Sequence, residues 1–419
     1  MNKEKIAVVV QRYGEEINGG AEYHAKLLAE HLNQEYNVEV LTTRSLDYIT
    51  WGNHYPQGES IINKIKVIRF NTDVKDPSFS KAGRYLRKNR KYSTINYSIY
   101  NFLWLPFKKW RYNRKNKLEV YNQWVDKQGP TSIDLIHYIE TTKQQYAAII
   151  FFTYLYYPTI RGMKVASDKA IFIPTAHDEP PFYYHGFRDV FNQPRFIMYN
   201  TLSEKKLVEK NYPETKQIKS DIAGVGFDIP SLDTNYDKIP NTNFRYFVYV
   251  GRIEEGKGCK SMIRNFIEFD KLNSENIKLV LIGQNHMSYI PPYNENIIFT
   301  GFIEEQEKQY YIDKCEALII PSKYESLSMV TLEAMAMGKP VLANGKCEVL
   351  KDHINASKAG FVFYNKEEFI KILQDVLYLS EETKLQIAAN GVSYVKNTYQ
   401  WPAIISKFEK AIDYVKNGD

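Results

Sequence analysis

Glu325 and Glu333 lie in the run YESLSMVTLEAMAMGKPV, directly after the apolar segment ALIIP. This order predicts a strand, a short loop carrying Glu325, and a helix beginning near Ser328 that carries Glu333. Eight residue steps at about 1.5 Å each separate the two carboxylates by up to roughly 12 Å, enough to admit a pyrophosphate between them. The backbone amides of Leu327, Ser328 and Met329 at the helix start would face those phosphates with partial positive charge. One carboxylate would then accept sugar hydroxyls and the other ribose hydroxyls. The implied chemistry is capture of a nucleotide sugar by both of its ends. The spacing alone carries little weight, because glutamates beside a helix are usually solvated.

Upstream, FVYVGRIEEGKG reads as a buried strand, a glycine-rich turn with Arg252 and Lys257, and a helix beginning near Cys259. A diphosphate leaving group gathers negative charge as its bond to the sugar breaks, so a guanidinium fork and an ammonium there act as electrostatic catalysts. Gly251, Gly256 and Lys257 approach a P-loop, but Gly258 stands where that motif places its Mg²⁺-binding hydroxyl, and the P-loop reading is rejected.

GRIEEGKG followed by Glu325, seven residues and Glu333 resembles the retaining glycosyltransferases of family 4. QRYGEEINGGAEYHAKLLAEHL, IPTAHDEPP and GVGFD resemble that family too, in its order, over nearly the whole chain. The resemblance implies an α/β protein of the GT-B fold, with two Rossmann-like, doubly wound domains facing a cleft. It implies transfer of a sugar from a nucleotide diphosphate to a hydroxyl of a glycan or lipid-linked acceptor, with the anomeric configuration kept, as in cell-surface polysaccharide or glycoconjugate synthesis. Arg252 and Lys257 would contact the diphosphate, Glu325 the donor sugar and Glu333 the ribose. Many relatives place Gly-Phe-Gly after the first Glu, where this chain has Ser326, Leu327 and Ser328, so a differently shaped sugar pocket is expected and the resemblance does not fix the donor.

The elements needed to hold these residues are legible as apolar runs alternating with helical patterns, which predicts parallel sheets covered by helices. In the first half strands are predicted at KIAVVV, YNVEVLT, KVIRF, DLIHY, AIIFF, AIFIP and IMYNT. In the second they fall at RYFVYV, IKLVLIG, NIIFTG, ALIIP and PVLA, with helices such as KEEFIKILQDVLYL. The expected organisation is an acceptor-side domain over residues 1–228, a Pro/Asn/Asp-rich linker at 229–243, a nucleotide-sugar domain at 244–396, and a last helix at 397–419 returning to the first domain.

Gly19 and Gly20 fall between the first strand and its helix, so this segment is either a binding loop for donor phosphate or acceptor, or a plain tight turn. His177 follows the strand AIFIP, and position and resemblance together assign it to the donor sugar near the reacting carbon. The resemblance also suggests that backbone at Phe302 and Ile303 contacts the base, although both serve equally well as core or loop residues. In the expected reaction the acceptor oxygen attacks the face that the diphosphate leaves, and a phosphate oxygen takes its proton. Closure at the linker would exclude water. No Asp-x-Asp pair occurs and the eight histidines lack metal-ligand spacing, so neither a metal nor another cofactor is expected. An epimerase, a sugar phosphorylase and a non-catalytic nucleotide-sugar binder are the competing readings.

With 419 residues, 44% of them hydrophobic, the chain suits two domains. Three scattered cysteines suggest neither disulfides nor a zinc knuckle and point to a reducing cytoplasm. The N-terminal apolar run is too short for a signal peptide, and AAIIFFTYLYYPTI is too short and too polar to span a bilayer. Residues 84–117 hold eleven Lys or Arg, nine aromatics and no acid, leaving the remaining chain at 44 minus 49, or minus 5. Such a stretch suits an anionic membrane, placing the protein on the inner face of the plasma membrane, or it is a solvated insertion whose rings pack inward. No nucleic-acid motif accompanies it, and nucleic acid is not an expected partner.

Overall fold

The computed structural model describes residues 3–17, 19–73, 114–184, 186–227, 242–288 and 294–418. Most of the predicted linker and residues 84–113 of the basic stretch lie outside them; Arg114 to Lys117 open the helix Arg114–Gln128. The chain divides into two compact units, Met1–Val225 with Pro402–Asp419, and Gly226–Trp401.

The first unit is built on β1 (Lys5–Val9), β2 (Asn37–Thr43), β3 (Gly58–Ile62), β4 (Ile65–Phe70), β5 (Ile149–Phe152), β6 (Ala170–Ile173), β7 (Phe196–Tyr199) and β8 (Lys219–Ile222). They are ordered β3-β4-β2-β1-β5-β6-β7-β8, and only the β3–β4 pair is antiparallel. Apart from Lys5 the central strands are buried, which is why they read as apolar runs. Edge strand β3 is half exposed, and Asn63 and Lys64, both at positive φ, turn it into β4. The helix Trp401–Asn417 packs on this unit through Tyr414 against Phe196, ring centroids 5.9 Å apart, and through Lys407 donating to the carbonyl of Ile222.

The second unit contains β9 (Arg245–Val250), β10 (Ile277–Ile282), β11 (Ile297–Gly301), β12 (Ala317–Ile320), β13 (Val341–Asn344) and β14 (Gly360–Phe363). All pair in parallel, in the order β11-β10-β9-β12-β13-β14. Each sheet therefore grows both ways from its first strand, the doubly wound order. The reversal falls beside β1 in one unit and between β9 and β12 in the other, and ligands of such sheets bind at the carboxyl ends of the strands there.

One predicted strand is a helix. DLIHY lies inside Ile133–Thr142, where Leu135 and Ile139 are fully buried and Asp134, His137 and Glu140 are exposed. Buried positions four apart are the helical period, and the five-residue window was too short to show it. Three strands, β3, β8 and β14, were not predicted. All three lie at sheet edges; β3 and β8 have few apolar residues, and β14 opens on Gly360 and is only partly buried.

Candidate functional site

In the second unit the strand ends of β9, β10 and β11 are drawn together by glycine. A Cβ on Gly283, at φ 134°, would lie 2.1 Å from the carbonyl oxygen of Gly251, and the Gly283 amide donates to the Gly301 carbonyl at 2.8 Å. After Gly251 the chain turns through Arg252 to a single 3-10 turn, Glu255–Lys257, and then enters the helix Cys259–Leu272. The buried Tyr249 hydroxyl fixes this turn by donating to the Arg252 carbonyl at 2.7 Å. Gly258, at φ 84°, presses the turn onto the end of β12, where an added Cβ would come within 2.6 Å of the Pro321 oxygen. The Arg252 and Lys257 turn is thereby seated beside the Glu325 loop.

Lys257 Nζ lies 2.8 Å from Glu325 Oε1, with both side chains partly accessible. Arg252 is more open, and its Nη2 is 3.4 Å from Glu254 Oε1. The helix after the Glu325 loop is Met329–Ala336, and Glu333 sits on it. The Glu333 carboxylate meets Lys308 Nζ at 3.0 Å, and the same ammonium meets Glu305 at 2.9 Å. Burial works against the Lys308 charge, but Glu333 and Glu305 together hold its pKa above the ordinary value. Phe302, just past β11, is 66% exposed and Ile303 is partly buried.

Two residues missed in the sequence complete this site. Lys308 carries no motif and becomes visible only through its contacts with Glu333 and Glu305. His353, on the helix Glu348–Ser357, is 2% exposed and has its Nε2 2.8 Å from the Leu327 carbonyl oxygen and its Nδ1 3.0 Å from the Tyr394 hydroxyl. A carbonyl only accepts, so Nε2 carries the proton and Nδ1 accepts from the phenol. Burial lowers His353 to about 4, although the Leu327 bond and Asp352 oppose the shift.

The unfolded chain takes up the His353 proton near pH 6.5. The stability contributed by neutral His353 is therefore complete above about pH 6.5 and lost as the pH falls toward 4, an amount on the order of 3 kcal/mol. Urea unfolding of the wild type and of His353→Gln between pH 7.5 and 4 checks this. The difference between them should move against the wild type by that order as the pH drops, and a difference independent of pH would contradict a neutral imidazole.

The remaining candidates belong to the first unit. His177 has Nδ1 3.2 Å from the Thr175 oxygen and Nε2 3.3 Å from Glu179 Oε1, and Thr175 adopts φ 51° just beyond β6. Beneath this loop Glu204, 1% exposed, accepts the amides of Ala176 at 2.5 Å and Asn200 at 2.6 Å. Burial pushes Glu204 up to about 8 against the pull of those amides. Gly19 precedes the helix Gly20–Leu32, and the space beside it is filled by Glu22, whose Oε2 would be 1.9 Å from a Cβ there. Glu22 is held by Arg12 at 2.6 and 2.9 Å, whereas Gly20 has open space where a Cβ would stand. The expected close approach of backbone to ligand is therefore open at Gly20 and taken by Glu22 at Gly19.

Among solved structures, HepE of Anabaena in complex with UDP-glucose superposes with a TM-score of 0.65 at 13% identity, covering 98% of this chain and 99% of that one. The fold is GT-B. Residues 234–392 match the family described as glycosyl transferases group 1. The uncharacterized glycosyltransferase MJ1069 of Methanocaldococcus jannaschii is 24% identical over 248 residues, 54% of this chain and 60% of that protein. The lipopolysaccharide 1,2-N-acetylglucosaminetransferase of Salmonella typhimurium is 27% identical over 179 residues, 39% of this chain and 46% of that protein. The chain spans 60% or less of the length of these curated relatives.

Proposed function

We propose that this chain is a retaining glycosyltransferase that moves a sugar from a nucleotide diphosphate to a hydroxyl of a glycan or lipid-linked acceptor. The observation that carries the reading is the Lys257–Glu325 pair at 2.8 Å, formed across β9 and β12 at the reversal of strand order. A cation for the departing diphosphate and a carboxylate for the sugar hydroxyls thus stand side by side. The helix starting at Met329 adds backbone amides for the phosphates, and Glu333 with Lys308 lies farther along it for the ribose. The group 1 match and the UDP-glucose bound by HepE support a nucleotide sugar as the donor. The Salmonella relative supports a glycoconjugate acceptor.

In this reading Arg252, Lys257 and the helix start stabilise charge on the leaving diphosphate, and the acceptor attacks the same face of the sugar. A phosphate oxygen takes the acceptor proton, so no protein nucleophile is needed. His177 stands with the donor sugar. The stretch at 84–117 would hold the enzyme on the anionic inner face of the plasma membrane while the acceptor is glycosylated.

Arg252, Lys257 and the helix start would supply the charge that a divalent ion brings to the diphosphate in other transferases, so this reading expects turnover without one. Purified full chain should show a thermal shift with at least one of a panel of UDP-, GDP-, dTDP- and ADP-sugars, hydrolyse that donor slowly, and do so undiminished in EDTA. Loss of turnover on chelation with recovery in Mg²⁺ or Mn²⁺ would reverse the metal assignment. Phosphate-dependent sugar release, or isomerisation of the donor, would reassign the reaction itself.

A further inference from the structure

We propose that His353 is a positioning residue that aims the backbone amide of Ser328 at the diphosphate of the bound sugar donor. The proposal rests on the nucleotide-sugar reading and adds to it a residue distant in sequence from every motif of the site.

Ser328 is a non-glycine residue at φ 62° and ψ 72°, immediately before the helix Met329–Ala336. A left-handed conformation in a residue with a Cβ is strained and persists only where its surroundings impose it. Within the turn, Ser328 Oγ lies 2.9 Å from Thr331 Oγ1, and the Thr331 amide donates to the Ser328 carbonyl at 3.0 Å. From outside the turn, the Leu327 carbonyl accepts the Nε2 proton of His353 at 2.8 Å, and the Leu327 side chain is buried.

The carbonyl of Leu327 and the amide of Ser328 belong to one planar trans peptide, so they point in opposite directions. Anchoring the carbonyl inward on His353, a side chain 2% exposed, turns the Ser328 N–H outward from the core. That N–H is one of the groups at the helix start that would meet the phosphates.

The imidazole does this in a single tautomer. Its Nδ1 accepts from Tyr394, and the rings of His353, Tyr394 and Tyr399 pack edge to face at 5.8 to 6.1 Å. The Tyr399 carbonyl accepts the Phe227 amide at 2.8 Å, so these contacts reach from the Leu327 peptide to the first residues of the second unit.

The test is binding of UDP, GDP, dTDP and ADP, and of their parent nucleosides, by calorimetry with the wild type, His353→Leu, His353→Gln and Tyr394→Phe. His353→Leu should weaken the nucleoside diphosphate that the wild type binds about 10-fold, the loss of one hydrogen bond to a charged group. The parent nucleoside should be unaffected, because it has no phosphate for the Ser328 amide. His353→Gln, whose side-chain amide can still donate to the Leu327 carbonyl, should restore affinity to within about threefold. Tyr394→Phe should fall between the two, and it supplies the comparison if His353→Leu does not fold. Equal losses for nucleoside and diphosphate, or none for the diphosphate, would overturn the positioning role while leaving the functional reading intact. Failure of the wild type to bind any of the four diphosphates would overturn both.

Discussion

Replacing Lys257 by Ala is expected to lower kcat/KM for donor turnover by about 100- to 1000-fold, the loss typical of removing one preorganised group that meets transition-state charge. The expectation follows from where the ammonium is held. Lys257 leaves a turn pinned by the Tyr249 hydroxyl and by the close packing of Gly258 on Pro321, so its charge is already placed before any ligand arrives. Its partner makes a second arm of the test possible. Glu325 shares the 2.8 Å contact, so each single change also leaves the other side chain without its neighbour. Losses in Lys257→Ala and Glu325→Ala should therefore sum to more than the loss in the double variant. Steady-state hydrolysis and transfer, measured with the donor found in the screen, give the numbers. A loss below about threefold in Lys257→Ala would remove the electrostatic role assigned to this residue.

Gly258→Ala should destabilise the second unit by about 2–4 kcal/mol, seen as a drop in melting temperature on the order of 10 °C. Two costs combine here. The φ of 84° is left-handed, and the new methyl would press to 2.6 Å from a backbone oxygen that cannot swing away as a side chain can. Gly256, two residues earlier in the same turn, is the internal control. Its added Cβ would have only Glu254 Oε1 at 4.0 Å, so Gly256→Ala should leave stability within about 1 kcal/mol. Activity should follow the same division, since Gly258 sets the turn that carries Lys257 against the end of β12. Equal melting temperatures for the two variants would show that the close contact is not imposed by the fold.

The candidate residues were legible where chemistry and local pattern coincide. GRIEEGKG is a strand end, a glycine turn and two cations in eight consecutive residues, and the Glu325 to Glu333 run is a loop and a helix start. Lys308 and His353 were not legible, because each lies far outside the motif that holds its partner. One acts through Glu333 across 25 residues and the other through the Leu327 carbonyl across 26. The segment DLIHY shows the same limit on a smaller scale. Its apolar residues suit a strand when read five at a time, and only packing of Leu135 and Ile139 into the core of the first unit selects the helix.

The sequence by itself determined that the chain forms parallel α/β layers and that particular strand-to-helix junctions carry cations, carboxylates and glycines, since both follow from short-range periodicity and residue type. Which junctions become neighbours was decided by the tertiary structure. β9 and β12 are adjacent although β10 and β11 intervene in the chain, and that adjacency brings Lys257 to Glu325 across 68 residues. The reason is that each crossover can place the next strand on either side of the sheet, and burial of the completed layers, rather than any local pattern, selects the order.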